Sequence, residues 1–209
     1  MTITAQQKRS FWLRHLHNWH WISSALCLIA MLLFAITGFT LNHAVDIEAK
    51  VTRSQRQAQL PPALLQKLSA AQQQQNAPTS LPLEVKHWLE REHHIDVDGK
   101  AIEWSPEEIY IALPRPGGDA WLRFNLDNGE MEYEKTERGV VAYLNDLHKG
   151  RNTGKAWSWF IDLFALTCLI FCLTGLVLLK MHASNRQLTW PIVVLGLVAP
   201  LLLAILFIH

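Results

Sequence analysis

The sequence predicts a membrane protein with three transmembrane α-helices and a small α+β module inserted between helices 1 and 2. Three observations predict it. Apolar windows at about Trp21–Leu41, Trp157–Leu179 and Trp190–Ile208 each hold about 20 residues, enough to cross a hydrocarbon core of roughly 30 Å. Although 18% of the chain is charged, none of these windows contains Lys, Arg or Glu, and only the second contains an Asp, Asp162. Between the first two windows lies a long polar stretch in which a helical pattern gives way to short alternating runs.

Residues 1–20 form an arm with Lys8, Arg9 and Arg14 and no acidic residue, which the positive-inside rule assigns to the cytoplasm. Residues 21–43 are the first span. Its apolar core exceeds that of a signal peptide, and the following LNHAVDIE lacks a small-x-small cleavage pattern, so it reads as an uncleaved anchor. The second span covers 157–180, a short loop 181–189, and the third span 190–208. The stretch from Leu179 to Trp190 carries Lys180 and Arg186 without an acid, in agreement with a cytoplasmic loop. Lys149, Arg151 and Lys155 flank the opposite end of the second span, but long translocated loops are largely exempt from the rule. The expected topology is N-terminus inside, with residues 44–156 and the C-terminus outside.

Residues 44–80 read as a segment of helical flavour running into QKLSAAQQQQNAPTS, a solvated polar connector. The pattern changes at Leu81, and residues 81–148 are the expected module. LPLEVKHWLEREHHI places Pro82 near a helix start, with Leu83, Val85, Trp88 and Leu89 toward one face. KAIEWS, EEIYIALP, DAWLRFNL and EMEYEK then read as strands, the last three separated by RPGGD and LDNG. Asn128-Gly129 is a hairpin signal, since both residue types tolerate positive φ. ERGVVAYLNDLH, residues 137–148, reads as an amphipathic helix returning to the membrane. Trp19, Trp21, Trp157, Trp159 and Trp190 fall at headgroup level, and Gly38 and Gly175, each within a Thr-Gly pair, permit close helix approach late in their spans.

Position sorts the ten histidines. His43 closes the first span and His148 precedes the second, near the same membrane face. His15, His17 and His20 precede the first span and His182 follows the second, near the other face. Neutral imidazole is an axial ligand for haem iron, and two of them make a six-coordinate electron-transfer site. His43 with His148 forms one candidate set. His182 with one of His15, His17 and His20 forms the other. From His20 to His43 is 23 steps, roughly 35 Å of helix, so the sets are separate sites. The plainer reading leaves these rings at headgroup level with no ligand. His87, His93 and His94 read as module surface and His209 as a tail. Asp162 is either an intramembrane functional carboxylate or an interfacial group paired with Lys155 or Arg151. Cys27, Cys168 and Cys172 all lie in spans, where packing between helices is the simpler role than metal or redox chemistry. No Ser-His-Asp order, HExxH, Walker loop or GxGxxG supports hydrolysis or nucleotide chemistry, and no basic stripe supports a nucleic-acid partner.

LHNWHW, TGFTLNH, RFNLDNGEMEYE, LNDLHKG and LTGLVLL, in this order, resemble the PepSY-associated transmembrane-helix (PepSY-TM) family over Phe11–His182. RFNLDNGEME is similar to the strand–turn–strand signature of a PepSY module. The resemblance implies a bacterial inner-membrane protein with a periplasmic PepSY-like module and one or two b-type haems. Members include reductases of ferric iron and ferric siderophores. His17 matches the histidine entering the first span, His43 the position at its outer end and His148 the LHxG histidine, while His182 matches by position. The three spans depart from larger members, which have four or more, and a homodimer would complete the bundle. The expected function is a haem-bearing electron-transfer protein that takes electrons from a quinone or reductase and reduces ferric iron or a ferric siderophore, assisting iron uptake. The competing expectations are a membrane-anchored PepSY module that binds or regulates a periplasmic partner without catalysis, and an accessory subunit of an iron transporter.

Overall fold

The computed structural model describes residues 5–73, 78–183 and 186–208. It divides into two compact units, Leu33–Trp159 and Met1–Leu32 with Phe160–His209. Two long helices, α1 (Ala5–Asn42) and α5 (Lys155–His182), contribute to both.

The unit Leu33–Trp159 contains the small antiparallel sheet that lies between the first two membrane helices. Its elements are β1 (Thr52–Gln59), α2 (Pro62–Gln72), α3 (Leu83–Trp88), β2 (Ile102–Trp104), β3 (Glu108–Ala112), β4 (Gly118–Asn125), β5 (Glu130–Glu137) and α4 (Val140–Lys149). The strand order is β1-β5-β4-β3-β2, every pairing antiparallel. The four expected runs form β2 to β5. On β4 the period-2 alternation buries Ala120, Leu122 and Phe124 and leaves Asp119 and Arg123 exposed. Leu122 and Phe124 meet Leu60, Leu68, Val85, Leu89, Ile109, Ile111 and Met131 in a core on one face of the sheet. The opposite face carries Tyr110, Trp121 and Arg123, the last paired to Glu132 and Glu108.

Residues 44–80 differ most from expectation. Thr52–Gln59, TRSQRQAQ, is an extended edge strand rather than helical, and it adds to the module a strand that precedes Leu81. It has no apolar alternation, and seven of its eight residues are exposed. Its register comes from β5, running from Thr52↔Glu137 to Gln59↔Glu130. Helical structure begins only at Pro62, whose missing N–H costs nothing in a first turn. Of the glutamine run, Gln74 and Gln75 lie outside the described residues.

The helix at Leu83 starts after Pro82 as expected and buries Val85 and Leu89 completely, but Leu83 is 63% exposed. Leu89–His93 continues it as a π-helical turn, ended by His94 in left-handed conformation. At the β4–β5 hairpin only Gly129 has positive φ, 71°. Asn125 replaces the expected contribution of Asn128: its Oδ1 accepts the N–H groups of Asp127 and Asn128 at 2.9 and 3.1 Å. The returning helix begins at Val140 rather than residue 137, because Glu137 is still paired in β5.

In the unit Met1–Leu32 with Phe160–His209, the N-terminal arm is continuous with the first span, so α1 is a single helix. Among the described residues, Arg9–Asn42, Lys155–His182 and Thr189–Phe207 (α6) are long and apolar enough to cross a membrane, with mean hydropathies of 2.3, 2.4 and 2.6. Large apolar side chains such as Leu26, Leu169 and Leu197 stay exposed along them, which water would penalise and lipid does not. Small side chains take the closest positions: Ser23 and Cys27 on α1 are buried. The Cys27 thiol donates to Met31 Sδ at 3.4 Å and neighbours the Cys168 thiol, whereas Cys172 is exposed.

Candidate functional site

Two histidines are held by the same five-residue unit, F-x-x-T-G, which occurs once on α1 (Phe34, Thr37, Gly38) and once on α5 (Phe171, Thr174, Gly175). Helical spacing of i, i+3 and i+4 gathers the three side-chain positions on one face. In the unit Leu33–Trp159 the α1 copy receives His148 from α4. His148 Nδ1 lies 2.7 Å from Thr37 Oγ1, its ring centroid lies 4.9 Å from that of Phe34, and a Cβ at Gly38 would stand 3.4 Å from its Cε1. In the other unit the α5 copy receives His20 from α1. His20 Nδ1 lies 3.1 Å from Thr174 Oγ1, the ring stacks on Phe171 at 4.7 Å, and a Cβ at Gly175 would stand 3.0 Å from its Cε1.

The threonine protons decide which tautomer these seats accept. Thr37 donates to Leu33 O at 2.9 Å or Phe34 O at 3.2 Å, and Thr174 to Ile170 O at 2.7 Å or Phe171 O at 3.0 Å. With the hydroxyl proton committed to the helix backbone, the oxygen is left to accept, so each neutral histidine is assigned Nδ1–H with the lone pair on Nε2. His17, His43 and His182 reach the same state by a different route. Their Nδ1 atoms face the carbonyl oxygens of Leu13, Phe39 and Leu178 at 2.8, 3.0 and 2.9 Å, and a carbonyl only accepts. Five histidines therefore offer a basic Nε2, the arrangement in which a protein imidazole ligates a metal while its other nitrogen is held by an oxygen.

His17 and His182 are also close to each other, their ring centroids 5.9 Å apart and their planes at 86°. A metal about 2 Å from each of two imidazole nitrogens sets ring centroids roughly 6 Å apart. Two imidazole donors at this spacing are the chemistry that a haem-type centre would use. Among the described residues no group of three or more His, Cys, Asp and Glu could hold a metal ion, so a closed structural cage of the zinc kind is not formed.

His148 is placed by a polar support. Asn145, one turn earlier on α4, accepts the Thr40 hydroxyl at 2.9 Å, and buried Asp146 accepts the Gly117 N–H at 2.8 Å. Trp157 Nε1–H donates to Leu147 O at 2.8 Å. An open cleft of about 450 Å³ borders this support, lined in part by Ile47, Glu48, Lys50, Arg138, Val140 and Asn145.

The remaining candidates are dispersed. His15 rests on the Phe11 ring at 4.2 Å, and among the described residues no hydrogen bond or ring contact joins it to another histidine or joins His43 to His148. His87 and His94 are exposed, and His93 packs on Trp88 at 4.4 Å. Asp162 is exposed and makes no ion pair among the described residues. His209 lies outside the described residues. Sequence reasoning reached the histidines but missed Phe34, Thr37, Phe171 and Thr174. The signal was present, because the two Thr-Gly pairs inside the spans share a phenylalanine three residues before the threonine, which Thr153-Gly154 lacks.

A family model described as PepSY_TM-like matches residues 11–209. No curated protein and no solved structure matches the chain significantly. A match over nearly the whole length, spanning the membrane helices, both Thr-Gly units and the sheet between them, shows that this chain is a member of the PepSY_TM-like family of membrane proteins with a PepSY-type module.

Proposed function

We propose that this protein is a haem-bearing electron-transfer protein of the bacterial inner membrane that reduces ferric iron or a ferric chelate at the periplasmic face. The observation that carries the reading is the His17–His182 pair, two rings 5.9 Å apart with both Nδ1 atoms held by backbone carbonyls. His17 and His182 would hold one haem b, and His148, with His43, would serve a second. When bound, haem supplies reversible one-electron chemistry.

The chain's own residues do the rest. Leu13, Leu178, Phe39 and Thr37 keep the ligand nitrogens free of protons by occupying the opposite ring nitrogen. Phe34 and Phe171 give apolar walls beside His148 and His20. The cleft places Lys50 beside Glu48, while Arg138 on its rim is held by Asp119 at 3.0 Å, so Lys50 is the cation that would meet an anionic ferric chelate. One electron from a quinol or a cytoplasmic reductase converts Fe³⁺ to Fe²⁺, which a ferric chelator holds weakly and releases for uptake. The basic, acid-free N-terminal arm supports an inside N-terminus and hence a periplasmic module.

The test is an absorbance spectrum of the detergent-purified chain, oxidised and then dithionite-reduced. A Soret band and sharp reduced α and β bands are expected. His17→Ala and His182→Ala should each remove the same fraction of bound haem and lower ferric-chelate reduction at least tenfold. A wild-type protein without haem bands would leave the non-catalytic PepSY reading in its place.

A further inference from the structure

We infer that Thr37 and Thr174 are positioning residues that fix the tautomer and aim of His148 and His20 in two equivalent ligand seats. The haem reading supplies the purpose of these seats, while their geometry stands without it. Each threonine lies in an apolar span, where a hydroxyl is a liability unless both its donor and acceptor functions are used. Both are used here. The proton goes to a carbonyl one turn back, and the oxygen takes the Nδ1–H of a histidine 111 residues away in one case and 154 in the other.

The same three contacts recur at the same offsets. A phenylalanine ring lies beside the imidazole, a threonine oxygen faces Nδ1, and a glycine opens space under Cε1. A packing accident explains one such arrangement poorly and two still less, since the threonine hydroxyl carries the only side-chain oxygen or nitrogen in each unit. Holding Nδ1–H on oxygen makes the ring a stronger donor through Nε2, which favours a bound metal's more oxidised state. Removing the oxygen without changing side-chain shape, as Val does, leaves the ring free to turn over and exchange tautomers.

The test compares Thr37→Val, Thr174→Val, Thr37→Ser and Thr174→Ser in the full chain as purified and kept reduced. Ring ¹⁵N shifts of labelled histidine, assigned through His20→Gln and His148→Gln, should show Nδ1 protonated and Nε2 bare at both sites. Wherever Nε2 carries no iron, each Val variant should give mixed tautomers at its own histidine, and each Ser variant should restore the single one. In redox titration Thr37→Val should shift the ferric-to-ferrous ratio of the centre that His148 serves about tenfold toward ferrous, which is about 59 mV for one electron. Ser should leave it in place. Unchanged tautomers and potentials in the Val variants, or Ser behaving like Val, would overturn the inference. Absence of haem from the wild-type protein ends the haem reading only, and the tautomer measurement then decides for or against the threonines by itself.

Discussion

At the scale of single residues, Gly38 and Gly175, the glycines of the two Thr-Gly pairs inside the spans, separate a packing role from a seat for a ring. A methyl group at Gly175 would meet His20 Cε1 at 3.0 Å, closer than carbon atoms rest, whereas at Gly38 the corresponding gap is 3.4 Å. Alanine in a helix otherwise favours folding over glycine by roughly 0.5–1 kcal/mol. Gly175→Ala should therefore keep or raise helix stability while pushing His20 off Thr174, and Gly38→Ala should disturb His148 less. Thermal melting followed by circular dichroism, with the ring ¹⁵N shifts of His20 and His148 measured in parallel, checks both effects. Equal site losses in the two variants, or a greater loss with Gly38→Ala, would show that the close approach at Gly175 is not limiting. The sequence marks both glycines and all five histidines but not their relation. A histidine's position along a chain says which end of a span it lies near, whereas for His20 and His148 the oxygen that Nδ1 meets belongs to another helix.

At the scale of elements, legibility followed local periodicity. Runs β2 to β5 alternate and were readable, as were the hairpin glycine and the proline start of α3. β1 was not, because TRSQRQAQ has no buried stripe and is ordered by β5 almost eighty residues later. The α3 face was readable at Val85 and Leu89 but not at Leu83, which stays in solvent. Beyond Leu89 the π turn brings His93 against Trp88.

Burial pushes the His93 pKa below 6.5, Arg56 adds to the effect, and Glu92 opposes it. The folded state thus binds the proton more weakly than the unfolded chain. The stabilising contribution is complete above pH 6.5 and is lost as pH falls through the window below it. Melting temperatures between pH 7.5 and 5.5 should decline more steeply for the wild-type protein than for His93→Gln. Parallel declines would remove His93 from the acid response.

At the scale of the whole molecule, the proposed topology places the hairpin turn outside the cytoplasm. Asp127 is exposed at that turn, and the native cysteines all lie within spans, so a new thiol there is distinguishable. Asp127→Cys should react with a membrane-impermeant maleimide in intact cells after the outer membrane is permeabilised. Labelling only after lysis of the inner membrane would invert the topology and place ferric reduction on the wrong face.

The sequence by itself determined three spans, an intervening antiparallel module and histidines at the span ends, because length, apolar period and turn chemistry act over a few residues. Tertiary structure decided what those histidines do. It set His148 on Thr37, His20 on Thr174 and His17 beside His182, and it recruited β1 to the sheet. These outcomes depend on hydrogen bonds and ring contacts between segments distant in the chain, and no local pattern encodes that His148 and His20 find a threonine on another helix rather than the carbonyl one turn back that His17, His43 and His182 meet.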